Sequence, residues 1–115
     1  MDLVAAVPSD LADLLPAYRS NRSREVQALR DAVLQRNVVE LVEIAERMYA
    51  VGNPYGFRQI TTFGRQIRDA CDVGDMDVVA AIADQYEAYL RDVSVRVVKA
   101  PPARAKWSPK QRAGD

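Results

Sequence analysis

The residues with the most chemistry to offer lie in "IAERMYAVGNPYGF", Ile44 to Phe57. Glu46 brings a carboxylate, Arg47 a guanidinium and Tyr49 a phenol within four positions. A carboxylate can take a phosphoryl group as an acyl phosphate, but charge repulsion must first be suppressed by a metal or a cationic cradle. Tyr49 supplies a hydroxyl and no charge. Arg47 is adjacent to Glu46 and is turned about 100° away from it on a helix. The chain contains no histidine, so no imidazole can act as nucleophile, base or metal ligand anywhere in it. It has no Gly-rich phosphate loop and no His/Cys metal cluster, and no cofactor is expected. Cys71 is the single cysteine and reads as a small buried hydrophobe.

The elements that position these residues follow from composition and spacing. A chain of 115 residues fits one domain with one core. A lone cysteine cannot form an internal disulfide, which points to a reducing, cytoplasmic setting. "MDLVAAVPSD" lacks the basic and long apolar regions of a secretory signal, and no stretch approaches a membrane span. Charge is zero overall yet uneven. Residues 99–115 hold five basic side chains against one acid, a net +4, while residues 1–98 hold 11 against 15, a net −4. Three prolines and little apolar surface mark 99–115 as a basic tail without stable structure. Its cations and Trp107 are of the type that can touch nucleic acid; a solubilising end is the plainer reading.

Helical spacing dominates residues 1–98. Ser9 or Asp10 is a candidate helix cap, and Leu11, Leu15, Tyr18, Val26, Leu29 and Val33 then mark a short helix and a long one, divided at Pro16 and ending near Arg36. Leu41, Ile44, Ala45 and Met48 define a second stripe that fails at "GNP" near Gly52. Phe57, Ile60, Gly64, Ile67 and Cys71 define a third, where Gly64 predicts a close helix–helix approach. Asp75 caps a fourth, whose stripe runs through Val78, Val79, Ile82, Tyr86, Tyr89, Leu90, Val93 and Val97. Tyr86 and Tyr89 read as core. Strand signals are weak, with no two-residue hairpin turn between alternating runs. The predicted fold is all-α: an up-down antiparallel four-helix bundle with a short extra N-terminal helix.

The run from Glu40 to Asp77, with "YGF" at Tyr55–Phe57, resembles the histidine-containing phosphotransfer domain of two-component signalling. The resemblance covers about residues 10–98 and rests on the turn element and the helix order. In that family an exposed helical histidine is followed by a lysine three residues on and then a glycine, before the turn. Counting back nine residues from Tyr55 places Glu46 where the phospho-accepting histidine would stand, Tyr49 at the lysine and Ala50 at the glycine. The loss of all three argues for a naturally degenerate site rather than one engineered change.

The resemblance therefore implies a non-catalytic signalling module. It would bind a response-regulator receiver domain or a histidine kinase as a pseudo-phosphotransfer protein, regulator or scaffold, with no membrane role. Val39, Val42, Glu43, Glu46, Tyr49 and Ala50 lie on or beside the outward half of the second helix, an apolar surface with an acidic centre that suits docking. Gln59, Thr62 and Gln66 on the next helix are the expected flanking contacts. The plain alternative for Glu46 is a solvated surface charge. For the whole chain the alternatives are a helical adaptor in an unrelated complex, using another face, and an enzyme transferring phosphate through Glu46.

Overall fold

A computed structural model describes residues 1–100. Of the tail at 99–115 expected to lack stable structure, residues 101–115 lie outside the described residues. The described chain is mostly helical. Strand β1 (Val4–Pro8) leads through a 3-10 helix at Ser9–Leu14 into helix α1 (Leu15–Leu34). Helix α2 (Val38–Gly52), a 3-10 turn at Asn53–Tyr55, α3 (Arg58–Asp72), α4 (Met76–Asp92) and strand β2 (Ser94–Val98) follow.

The helix boundaries sit where local chemistry puts them. Pro16 occupies the first turn of α1, where its missing N–H has no helical partner to lose. Asn37 breaks the chain after α1 and caps α2 by accepting from the Glu40 N–H at 3.1 Å. Asp75 caps α4 by accepting from the Val78 N–H at 3.2 Å. The α2 end at Gly52 and the α3 start beside Phe57 match the apolar spacing. Ser9 and Asp10 do not cap the first helical segment. They lie inside the 3-10 helix, whose cap position is Pro8, a residue with no side-chain acceptor.

α2 packs against α3, α3 against α4, and α1 against both α4 and α2. The shared core holds Leu29 from α1, Leu41, Ile44 and Met48 from α2, Ile60, Phe63 and Ile67 from α3, and Val79, Tyr86 and Tyr89 from α4. The Phe63 ring meets Tyr86 and Tyr89 at centroid distances of 5.8 and 6.0 Å.

The strands correct the helical expectation. β1 and β2 form a two-stranded parallel ladder with Val4 opposite Ser94 and Val7 opposite Val97. The fourth apolar stripe therefore does not continue as helix through Val93 and Val97. The chain turns extended at Val93 and enters β2. No hairpin turn marks this pair, because parallel strands need a long crossover and here the whole helical body supplies it.

Candidate functional site

The seam between α2 and α3 fixes the site. A Cβ on Gly64 would stand 2.6 Å from the Ala45 carbonyl oxygen and 2.7 Å from the Tyr49 nitrogen. Only a residue without a side chain allows that approach, as the sequence expectation held. One turn further along, the Thr61 hydroxyl donates to the Tyr49 carbonyl at 3.0 Å and accepts from the Asn53 N–H at 2.8 Å. The backbones of α2 and α3 are thus locked together on both sides of Tyr49.

The turn after α2 is held from the other direction. Tyr18 of α1 stacks on Tyr55 at 4.1 Å and on Phe57 at 5.2 Å, and its hydroxyl donates to the Val51 carbonyl at 2.9 Å. Burial pushes the Tyr18 phenol well above its ordinary pKa, against the lowering effect of nearby Arg22. Gly56 between the two aromatics has φ of 89° and its α-carbon faces the Ala6 carbonyl of β1. A side chain there would meet both a left-handed backbone and a strand. "YGF" is therefore an aromatic clamp around Tyr18 with a glycine that lets β1 pass.

Above the seam lies a groove of about 230 Å³ lined by Ala45, Glu46, Tyr49, Gly64, Arg65 and Arg68. Ala45 and Gly64 form its floor. Tyr49 is a wall and is 56% exposed, a large amphipathic ring open to solvent. Arg68 Nη1 donates to Glu46 Oε1 at 2.5 Å, and its Nε is 3.6 Å from Asp72. Arg65 is exposed at the rim. Glu46 is thus a carboxylate in a cationic setting, which the sequence alone did not anticipate. Arg47 is turned away, as expected, and donates to the buried Glu25 at 3.2 Å.

The structure brings only part of the expected site together. Glu43, Tyr49 and Ala50 are exposed on α2 with Glu46, and Val39 is 70% exposed near the helix start. Val42 is half-buried and packs against the core, so it is less available than the outward reading held. Gln59, Thr62 and Gln66 do not line the groove. At about 100° per residue, each sits roughly 140–160° around α3 from Gly64. Thr62 donates to the Arg58 carbonyl of its own helix at 3.3 Å, and Gln66 lines a separate groove with Asp69, Val73, Val78 and Ile82. The α3 residues beside Glu46 are Arg65 and Arg68, which the sequence reading missed. Gly64 was the available signal for Arg68: a residue at the seam places its i+4 neighbour on the same side of the helix, beside the facing one.

Among the described residues, no group of three or more His, Cys, Asp or Glu is placed to hold a metal ion, and no helix is long and apolar enough to cross a membrane. Set against known proteins, the chain matches no family model, no curated protein and no solved structure.

Proposed function

We propose that this chain is a non-catalytic signalling module of the histidine-phosphotransfer type: an up-down four-helix bundle that docks a receiver domain or histidine kinase through the α2 face in the cytoplasm, without carrying phosphate. One observation carries the reading. The position counted back from the YGF turn is exposed, sits over an α2–α3 seam closed by a glycine, and holds a carboxylate engaged by Arg68. An exposed aromatic beside a shallow, apolar-floored groove suits protein docking. Glu46 offers no nitrogen for a phosphoramidate, so phosphate could reach it only as an acyl phosphate, through the Oε2 that Arg68 leaves open.

The test incubates the chain with a phosphorylated receiver domain. Binding without loss of label supports the proposal. Movement of label onto the chain would establish an acyl-phosphate enzyme at Glu46 instead. Absence of binding to receiver and kinase alike would favour the second reading, a helical adaptor working through another face. That reading has its own support in the exposed Leu34, the last residue of α1, and Val73, which follows α3; they are 83% and 79% accessible.

A further inference from the structure

The two-stranded ladder is finished on one side and unfinished on the other. On the outer edge of β1 the Val4 N–H is satisfied by Asp2 at 3.0 Å, the Ala6 carbonyl is covered by Gly56, and Pro8 has no N–H to offer. On β2 the Ser94 N–H donates to Leu3 at 2.8 Å, so Ser94 faces β1. In a parallel ladder, alternate residues turn both backbone groups to the same neighbour. Ser94, Arg96 and Val98 therefore face β1, while Val95 and Val97 turn their N–H and C=O groups outward. Among the described residues nothing pairs with those four groups. Val97 also leaves an apolar side chain 53% exposed. Open edges of this kind are templates for another strand, and proteins that do not use them block them, as β1 is blocked here.

Charge selects the occupant. Arg96 is exposed on β2, Lys99 follows it, and Val93–Ala100 contain no acid. The sequence from Lys99 onward carries a net +4. A second copy pairing edge to edge would set two such cationic strands side by side, which is unfavourable.

We propose that the outer edge of β2 takes an extended, acidic segment of a partner protein by strand addition. The segment's backbone pairs with Val95 and Val97, its apolar positions cover Val97, and its carboxylates lie against Arg96 and Lys99. This surface shares no residue with the α2–α3 groove and does not depend on the function proposed for it.

The test measures fluorescence anisotropy of two short labelled peptides against the full chain, one alternating valine and glutamate, the other valine and lysine. The glutamate peptide should bind and the lysine peptide should not. Val97→Pro should weaken binding about tenfold or more, because it removes an outward donor and places a ring on the edge. It should leave the β1 ladder intact, since that N–H does not face β1. Arg96→Glu should shift preference to the lysine peptide. Independently of any variant, the glutamate peptide should slow amide hydrogen exchange at Val95 and Val97 in the wild-type chain. The proposal is overturned if the glutamate peptide does not bind, if both peptides bind alike, or if those amides gain no protection. It is equally overturned if sedimentation shows self-association that Val97→Pro abolishes, which would make a second copy the occupant.

Discussion

Glu25 and Glu46 are both helix carboxylates held by guanidinium groups, and they differ mainly in their access to water. The Glu25 side chain is 3% exposed and sits among α1, α2 and α4. It accepts from the Tyr86 hydroxyl at 2.8 Å and from Arg47 Nε at 3.2 Å, and Arg22 Nε lies 3.0 Å away. The Arg22 N–H is not aimed at an acceptor, so that contact is coulombic rather than a hydrogen bond. The Arg22 guanidinium instead stacks over Tyr18, 4.8 Å from the ring centroid. Glu46 is 61% exposed and has one guanidinium partner, which is itself 45% exposed. A buried charge that loses its partners cannot be rescued by solvent, whereas an exposed one can. The inner carboxylate therefore belongs to the fold, and the outer one is free to serve recognition.

The largest consequence is at Glu25. Glu25→Ala strands Arg22 in the core and removes the Tyr86 acceptor, so it should destabilise the chain by about 3–5 kcal/mol. Urea unfolding monitored by circular dichroism measures this. A loss below about 1 kcal/mol, the range of exposed pairs, would erase the distinction between the two sites.

The tyrosines around that hub sharpen the comparison through pH. Burial raises the phenol pKa of Tyr86, and Glu25 adds to the rise; burial also raises Tyr18 and brings Tyr89 up to about 12. A free tyrosine ionises near 10. A raised folded pKa gives stability that is complete below the unfolded value and is lost as pH climbs through the folded one. Stability should therefore hold up to about pH 10 and fall from there through about 12, with the absorbance of these three buried tyrosines as tyrosinates appearing as the chain unfolds. Tyrosinate absorbance equivalent to every tyrosine near pH 10, with the fold intact, would contradict the burial.

At the outer site the expected effect is on binding. Tyr49→Ala removes an exposed ring from the proposed docking face and should weaken receiver or kinase binding by about 1.5–3 kcal/mol while leaving the melting temperature nearly unchanged. Titration calorimetry with the folded variant decides it, and wild-type affinity would remove Tyr49 from the face. Val42→Ala is a poorer probe than its sequence position suggested, because Val42 packs against the core and its loss mixes stability with affinity.

These contrasts also explain what was legible beforehand. The stripes of α2 and α3 were readable because their apolar residues recur every third or fourth position and the glycine between them had no other use. Glu25 and Arg22 were not, although both follow Tyr18 at helical spacing on the buried side of α1. Charged residues default to the surface, and only the arrival of Arg47 and Tyr86 from other helices makes their burial tolerable. The β1–β2 pair was hidden for the same reason. "LVAAV" holds two β-branched residues and "VSVRVV" four, strand signals of ordinary strength at most, and their meaning depends on a partner about ninety residues away. Arg68 was within reach, since Gly64 already marked the side of α3 that meets α2.

The smallest expected effect concerns the outer ion pair itself. Glu46→Gln removes one charge of an exposed pair, and Arg68 retains Asp72 one turn away on α3 as a second acceptor. Stability should change by no more than about 1 kcal/mol, and binding by less than for Tyr49→Ala. A double-mutant cycle between Glu46→Gln and Arg68→Met isolates the coupling, and the same cycle between Glu25→Gln and Arg47→Met provides the inner reference. The inner coupling should exceed the outer one, because water screens Glu46 and is excluded from Glu25. Equal couplings would show that solvent access is not what separates the two carboxylates. A large outer coupling that appears only with the receiver or kinase bound would show that the partner dries the Glu46–Arg68 pair, making the acid part of the recognition surface and no longer a bystander beside Tyr49.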